Sequence, residues 1–177
     1  LVRPRHSVDN QADLLNPLGI IGPTPGQPSA EMRVDAQAAE HVTTRLAGAG
    51  IAPNAAIAVI HASASSPYRR WPAERFAQLA AILLQERPDL HVVFTTGPSE
   101  KDLQSALIAM TRTAAGDDER RVVDCGDFDL PELRALIERA AIYIGGDSGP
   151  LHVASTTRTP IVAIFGPTLP ERSMPWR

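Results

Sequence analysis

From residue 56 onward, five short apolar runs rich in valine and isoleucine alternate with stretches whose apolar residues recur every three or four positions. The runs cover residues 56–60, 91–95, 122–124, 142–144 and 161–165. Between them fall Phe76, Leu79, Ala80 and Leu83, then Leu103, Leu107 and Met110, then Leu133, Leu136, Ile137 and Ala140. A shorter segment, 150–157, follows the fourth run. A continuous Val/Ile run offers no polar face to water, so it predicts a strand covered on both sides; three-and-four spacing predicts an amphipathic helix. Strand then helix, repeated, leaves one economical solution: an α/β fold with a Rossmann-like parallel sheet, right-handed crossovers and helices on both faces. Helix starts are signalled by Ser99 with Asp102, by Asp129 with Glu132, and by Pro72 in a first turn.

Residues 1–50 have a different texture. They hold the loop Pro23-Thr24-Pro25-Gly26-Gln27-Pro28 and a helical candidate over 41–49, and Leu14, Leu15 and Leu18 can pack as a short helix before Gly19. This stretch reads as a connector with a helical segment, and 51–177 as the Rossmann-like domain. The opening residues lack both an initiator methionine and the pattern of a signal peptide, and the chain stops abruptly after Trp176. A fragment of a longer chain is therefore expected.

Composition excludes several classes. A net charge of −3 gives no basic surplus for nucleic acid. Cys125 is the single cysteine, so no intrachain disulfide or thiolate metal cluster can form, which fits a reducing cytoplasm. No apolar stretch approaches the roughly 18 to 20 residues of a transmembrane helix. Neither Gly-x-Gly-x-x-Gly nor a P-loop occurs, and no Gly-x-Ser-x-Gly elbow supports a hydrolase built on His61 and Ser63. No cluster has metal-ligand spacing.

The unusual residues gather after the strands. His61-Ala62-Ser63-Ala64-Ser65-Ser66 follows the first run, Gly97-Pro98-Ser99-Glu100 the second and Gly126-Asp127-Phe128-Asp129 the third. The fourth leads into Gly145-Gly146-Asp147-Ser148-Gly149-Pro150, the fifth into Gly166-Pro167-Thr168. In a parallel sheet all these turns meet at the carboxyl edge, where open α/β folds bind ligands. Gly149 and Pro150 suit a helix start whose N–H groups can face an anion such as diphosphate; a capped helix without a ligand is the plainer reading. Asp147 would repel phosphate, so it is assigned to sugar hydroxyls. Ser63, Ser65 and Ser66 with Arg69-Arg70 make a second anion-friendly loop, or else a solvated one. Glu100 can accept bonds from both ribose hydroxyls, or simply offset a helix dipole. Phe128 can stack on a base or pack in the core. His152, a turn after Ser148, can orient the loop or serve structure alone, and Trp71 reads as a packing anchor.

Three segments in order carry a family resemblance. His61-Ala62-Ser63-Ala64-Ser65-Ser66-Pro67-Tyr68-Arg69-Arg70-Trp71-Pro72 is similar to a His-Pro-Gly-Ala-Ser loop followed by Lys-Arg-Trp-Pro. Gly146-Asp147-Ser148-Gly149-Pro150-Leu151-His152 resembles an Asp-(Ser/Thr)-Gly-x-x-His signature, and the strand and turn from Thr159 through Thr168, with Pro170-Glu171-Arg172, follow as in that family. The family is glycosyltransferase family 9, the lipopolysaccharide heptosyltransferases. The resemblance implies a GT-B enzyme of two Rossmann-like domains facing a cleft, this chain being the C-terminal, donor-binding half. It implies metal-independent, inverting transfer of a heptose from an ADP-activated donor to a lipopolysaccharide core sugar, with no cofactor.

Carried over by position, Ser65 and Arg69 face the diphosphate, with Arg69 in place of the usual lysine and acting as leaving-group stabiliser. Glu100, or Asp102 if the alignment slips, holds the ribose, and Phe128 lies near the adenine. Asp147 binds the transferred sugar, the Ser148 and Gly149 amides meet phosphate, and His152 matches the signature. Ser63 and Ala62 replace the usual glycine and proline. The base belongs to the other domain, so the fragment alone is expected to be inactive. The acceptor, a glycolipid or saccharide, would bind through that missing domain, and the location implied is cytoplasmic, peripheral at the inner membrane. The alternatives are a sugar-nucleotide 2-epimerase-like GT-B isomerase, which Pro150-Leu151-His152 fits poorly, and a non-catalytic nucleotide-binding domain.

Overall fold

In a computed structural model, residues 4–22 and 30–176 are described. The proline-rich loop at 23–28 lies outside them. Five parallel strands, β1 (Ala56–His61), β2 (Leu90–Thr95), β3 (Val122–Val123), β4 (Ile142–Gly146) and β5 (Ile161–Ile164), form one sheet in the order β3-β2-β1-β4-β5. The register runs from Ala56 beside Leu90 to His61 beside Thr95, and β4 joins the other side of β1 with Ala58 beside Ile142. The five apolar runs thus become the five strands. The third ends one residue sooner than the sequence suggests, and the fourth runs on through Gly146.

Side chains alternate across this sheet, as the pleat requires. Ala58, Ile60, Val92, Phe94 and Ile144 face α3 (Ala73–Glu86) and α4 (Lys101–Ala115), which bring Phe76, Ala80, Leu84 and Leu107. Ile57, Val59, Val93 and Tyr143 face the opposite layer, where α2 (Ala36–Gly48), α5 (Leu130–Arg139) and α6 (Gly149–Ser155) bring Val42, Leu46, Leu136, Ile137 and Leu151. Trp71 meets the ring of Phe76 edge-on at 4.9 Å, a packing contact.

The structure corrects several local expectations. The helix foreseen at 41–49 begins at Ala36, because Asp35 caps it by accepting from Ala38 N at 3.0 Å. That earlier start sends Ala38, Val42 and Leu46 into the core, so part of the segment read as a connector belongs to the helical layer. Asp129 and Glu132 do form a reciprocal capping box at the start of α5. Ser99 and Asp102 do not: α4 begins after Glu100, and no side chain caps it. Pro72 stands just before α3 rather than within its first turn. Short α1 (Ser7–Ala12) runs into a 3-10 turn, Asp13–Leu18, ended by Gly19. Leu14, Leu15 and Leu18 lie there as foreseen, yet all three are exposed and pack into no core. His6 ties this end to the chain's last residues through Met174 O at 2.8 Å and a ring contact with Trp176.

One core residue carries a cost. Tyr143 is fully buried and its hydroxyl has no hydrogen-bond partner among the described residues, so burial drives its ionisation far above the ordinary range. The ring also explains Gly145, where a Cβ would come within 2.6 Å of that hydroxyl. An unmet buried hydroxyl costs on the order of 1 kcal/mol or more. Tyr143→Phe is therefore expected to raise stability by about 1 kcal/mol in urea unfolding. A loss of stability would mean that the hydroxyl is satisfied.

Candidate functional site

β1 lies at the centre of the winding. The chain leaves it toward β2 on one side and leaves β4 toward β5 on the other, so the turns after β1 and β4 part and open a crevice above the strand ends. A cleft of about 760 Å³ occupies that place. Eight of the residues singled out from the sequence line it, Ser65, Arg69, Glu100, Phe128, Asp147, Ser148, Gly149 and His152, whereas Ser66 does not. Of the two acids named for the ribose, Glu100 lines the cleft and Asp102 does not.

Glu100 is held by three neighbours. Its carboxylate accepts from Ser63 Oγ and from Gly97 N at 3.1 Å, and it pairs with Arg70 at 2.9 Å. The Ser63 bond is the strongest influence lowering its pKa, with Gly97 and Arg70 adding to it against some desolvation. The carboxylate is therefore charged and fixed in place. This inward bonding is also why Glu100 leaves the α4 start uncapped.

Asp147 is buried at the opposite wall. It accepts from Thr168 Oγ1 at 2.8 Å and stands 3.5 Å from Arg69 Nη1. Arg69 is partly exposed, yet its Nε is buried without a partner among the described residues. It is a donor for which the site as built supplies no acceptor. Ser148 precedes α6 but donates to Gly146 O at 3.3 Å, so no side chain caps the N–H groups of that helix. His152, one turn on, is exposed at the cleft.

Phe128 comes from the turn between β3 and α5. One side of its ring lies 3.9 Å from the guanidinium carbon of Arg45, and it packs at the margin of the core. Gln104, buried on α4, also lines the cleft; it accepts from Thr96 Oγ1 at 3.2 Å and reaches Asp124 at 3.5 Å. Sequence reading missed Gln104 and Arg45. Gln104 occupies an ordinary helical position with no motif around it, and Arg45 lies in a segment read as connector.

His61 closes the cleft floor with Nδ1 3.0 Å from Thr95 Oγ1. Burial pulls its pKa down to about 4, with Glu100 opposing the shift. The imidazole is thus neutral when folded, while the unfolded chain takes up a proton near pH 6.5. Its contribution is present above pH 6.5 and drains away as the pH falls toward 4, amounting to about 3 kcal/mol if the whole shift is expressed. Urea titrations at pH 7 and pH 4.5 should show a clearly smaller acid loss in His61→Gln than in the wild type. Equal losses would exclude the histidine as the cause. Among the described residues, no group of three or more His, Cys, Asp and Glu is placed to hold a metal ion. No helix there is long and apolar enough to cross a membrane.

A parallel sheet wound outward from its centre, with hydroxyls, guanidinium groups and carboxylates converging at the strand ends, defines a Rossmann-like α/β domain with a polar cleft at its carboxyl edge. The chain matches the model of glycosyltransferase family 9 (heptosyltransferase) over residues 2–177 and belongs to that family. Lipopolysaccharide heptosyltransferase 3 of Escherichia coli (strain K12) is 29% identical over 172 residues, covering 97% of this chain and 47% of that protein. The crystal structure of a family 9 glycosyl transferase from Veillonella parvula superposes with a TM-score of 0.81 at 25% identity, over 99% of this chain and 48% of that one. Escherichia coli heptosyltransferase WaaC, solved with ADP, shares the fold at a TM-score of 0.64 and 18% identity, over 99% of this chain and 49% of that one. The chain spans about half the length of the curated relatives it matches over nearly its whole extent.

Proposed function

We infer that this chain is the donor-binding half of an inverting heptosyltransferase of lipopolysaccharide core synthesis, and that its cleft holds an ADP-activated heptose. The observation that carries the reading is the convergence of Arg69, Glu100 and Asp147 on one cleft, from three different strand ends. Family membership supports the class of reaction, and the spacing of charges along the cleft supports the ligand. Arg69, on the cleft wall, supplies a guanidinium for a diphosphate. Ser65 and the uncapped start of α6 add neutral donors beside it. Glu100 offers a charged acceptor for ribose hydroxyls, and Phe128 an apolar surface for the base. Asp147, anchored by Thr168, accepts from hydroxyls of the sugar. His152 stands at the rim beside the same helix start, able to donate to the ligand.

In this arrangement the domain assists bond cleavage by electrostatics. As the anomeric carbon–oxygen bond breaks, negative charge grows on the leaving diphosphate, and in this reading Arg69 and the α6 amides offset it. The base that deprotonates the acceptor, and the surface that receives a glycolipid or saccharide, belong in this reading to the other half of the enzyme, at the cytoplasmic face of the inner membrane.

Titration of the chain with ADP, UDP and GDP by calorimetry tests the proposal. ADP is expected to bind at least tenfold more tightly than the other two, a gap of about 1.4 kcal/mol. Preference for UDP would point instead to an epimerase-like donor, and no binding of any of the three would overturn the assignment.

A further inference from the structure

Arg45 sits on α2, in no motif, and does not line the cleft. Its contacts nevertheless all go to one place. Nε and Nη2 both donate to Cys125 O, and Nη2 also donates to Asp127 O. Nη1 donates to Glu132 at 3.0 Å, the same carboxylate that accepts from Asp129 N in the capping box of α5. The guanidinium lies over the ring of Phe128, with 3.9 Å from its central carbon to the ring centroid. One side chain thus spans the carbonyls on either side of Gly126, the aromatic ring and the first turn of the helix beyond.

The loop so clamped is an unusual one. Gly126 has a φ of +68°, open to glycine at little cost, and a Cβ there would meet Arg45 Nη2 at 3.3 Å. Across the turn, Lys101 at the start of α4 pairs with Asp127 at 2.9 Å, but both partners are largely exposed and contribute little. Arg45 is the more buried of the two cations, with a fork-shaped group suited to paired carbonyls and a flat face suited to a ring.

The geometry points to Arg45 as a positioning residue for nucleobase recognition: it sets the 125–129 loop so that Phe128 stands as a ready-made wall at the base end of the cleft. This rests on the reading that the cleft holds a nucleotide. Preforming the wall spares the ordering cost that a mobile loop would charge against affinity. The diphosphate end, built from Ser65, Arg69 and α6, touches none of these contacts and should not feel their loss.

The experiment compares ADP with inorganic pyrophosphate as ligands of the chain, in wild type, Arg45→Gln and Arg45→Lys, with amide hydrogen exchange at residues 126–128 read in the free protein. Arg45→Gln is expected to weaken ADP about tenfold, to leave pyrophosphate within about twofold, and to speed exchange in the loop. Arg45→Lys keeps the charge toward Glu132 but loses the fork and the flat stack, so it should fold normally and show the same selective loss. In a Phe128→Leu background the Arg45→Gln effect on ADP should largely disappear. Equal losses for ADP and pyrophosphate, or unchanged ADP affinity in both variants, would overturn the role of Arg45. A wild-type chain that binds pyrophosphate but no nucleoside diphosphate would instead bring down the nucleotide reading, and this inference with it.

Discussion

Replacing Arg69 with alanine is expected to weaken ADP binding by about ten- to a hundredfold, the range for losing charge-assisted bonds worth about 1.5–3 kcal/mol. Two effects act in the same direction. The diphosphate loses the only guanidinium paired to Asp147 among the described residues, and the Asp147 carboxylate is left buried with no cation near it. An unneutralised carboxylate beside a diphosphate repels it, so the loss should exceed that of a surface arginine. Arg69→Lys should recover only part of the affinity, because the ammonium restores the charge but not the guanidinium's fork of donors. In an enzyme carrying both halves, the alanine variant should lose more in kcat than in KM if Arg69 acts on charge that grows as the bond breaks. Calorimetry on the chain and steady-state kinetics on the full enzyme read these separately. Near-normal values in both would remove Arg69 from the site.

The second large effect is expected at the other end of the cleft. Glu100→Gln keeps the shape of the side chain but removes the charge that holds Arg70 and that would accept from a ribose. ADP affinity should fall about tenfold or more, while pyrophosphate affinity stays near wild type. The sharper reading uses 2′-deoxy-ADP. Wild type should discriminate against it, and the glutamine variant should bind both nucleotides with nearly equal, weak affinity. Asp102→Asn, outside the cleft lining, should change neither. If Asp102→Asn carried the loss and Glu100→Gln did not, the ribose would belong to the other acid. Melting temperatures must accompany these values, because Glu100 also ties down Ser63 and Gly97.

The sheet was readable in advance because the strands of a parallel sheet are dominated by apolar, β-branched residues with few polar interruptions, so five Val/Ile-rich runs could hardly be anything else. The polar cleft was readable for a related reason: once the strands are parallel, their following turns must share an edge. What local spacing could not supply was any side chain whose purpose depends on a distant partner. Arg45 and Gln104 look like ordinary helical residues until α2 and α4 are placed beside the strand ends. The Ser99–Asp102 pattern misled for the converse reason. A capping signature is local, but Glu100 has tertiary bonds to Ser63 and Arg70 that set how α4 begins. The exposed Leu14, Leu15 and Leu18 show the same limit, since helical spacing says nothing about whether a surface exists for them to cover.

The outward winding from β1 has an evolutionary corollary. Because the gap above the strand ends comes from the direction in which the chain departs, the turns around it can exchange residues without dissolving the hollow or the core beneath. A lineage can therefore alter what such a hollow admits by editing a few of the loop positions that line it, such as 65 and 69, while the scaffold goes on folding as before.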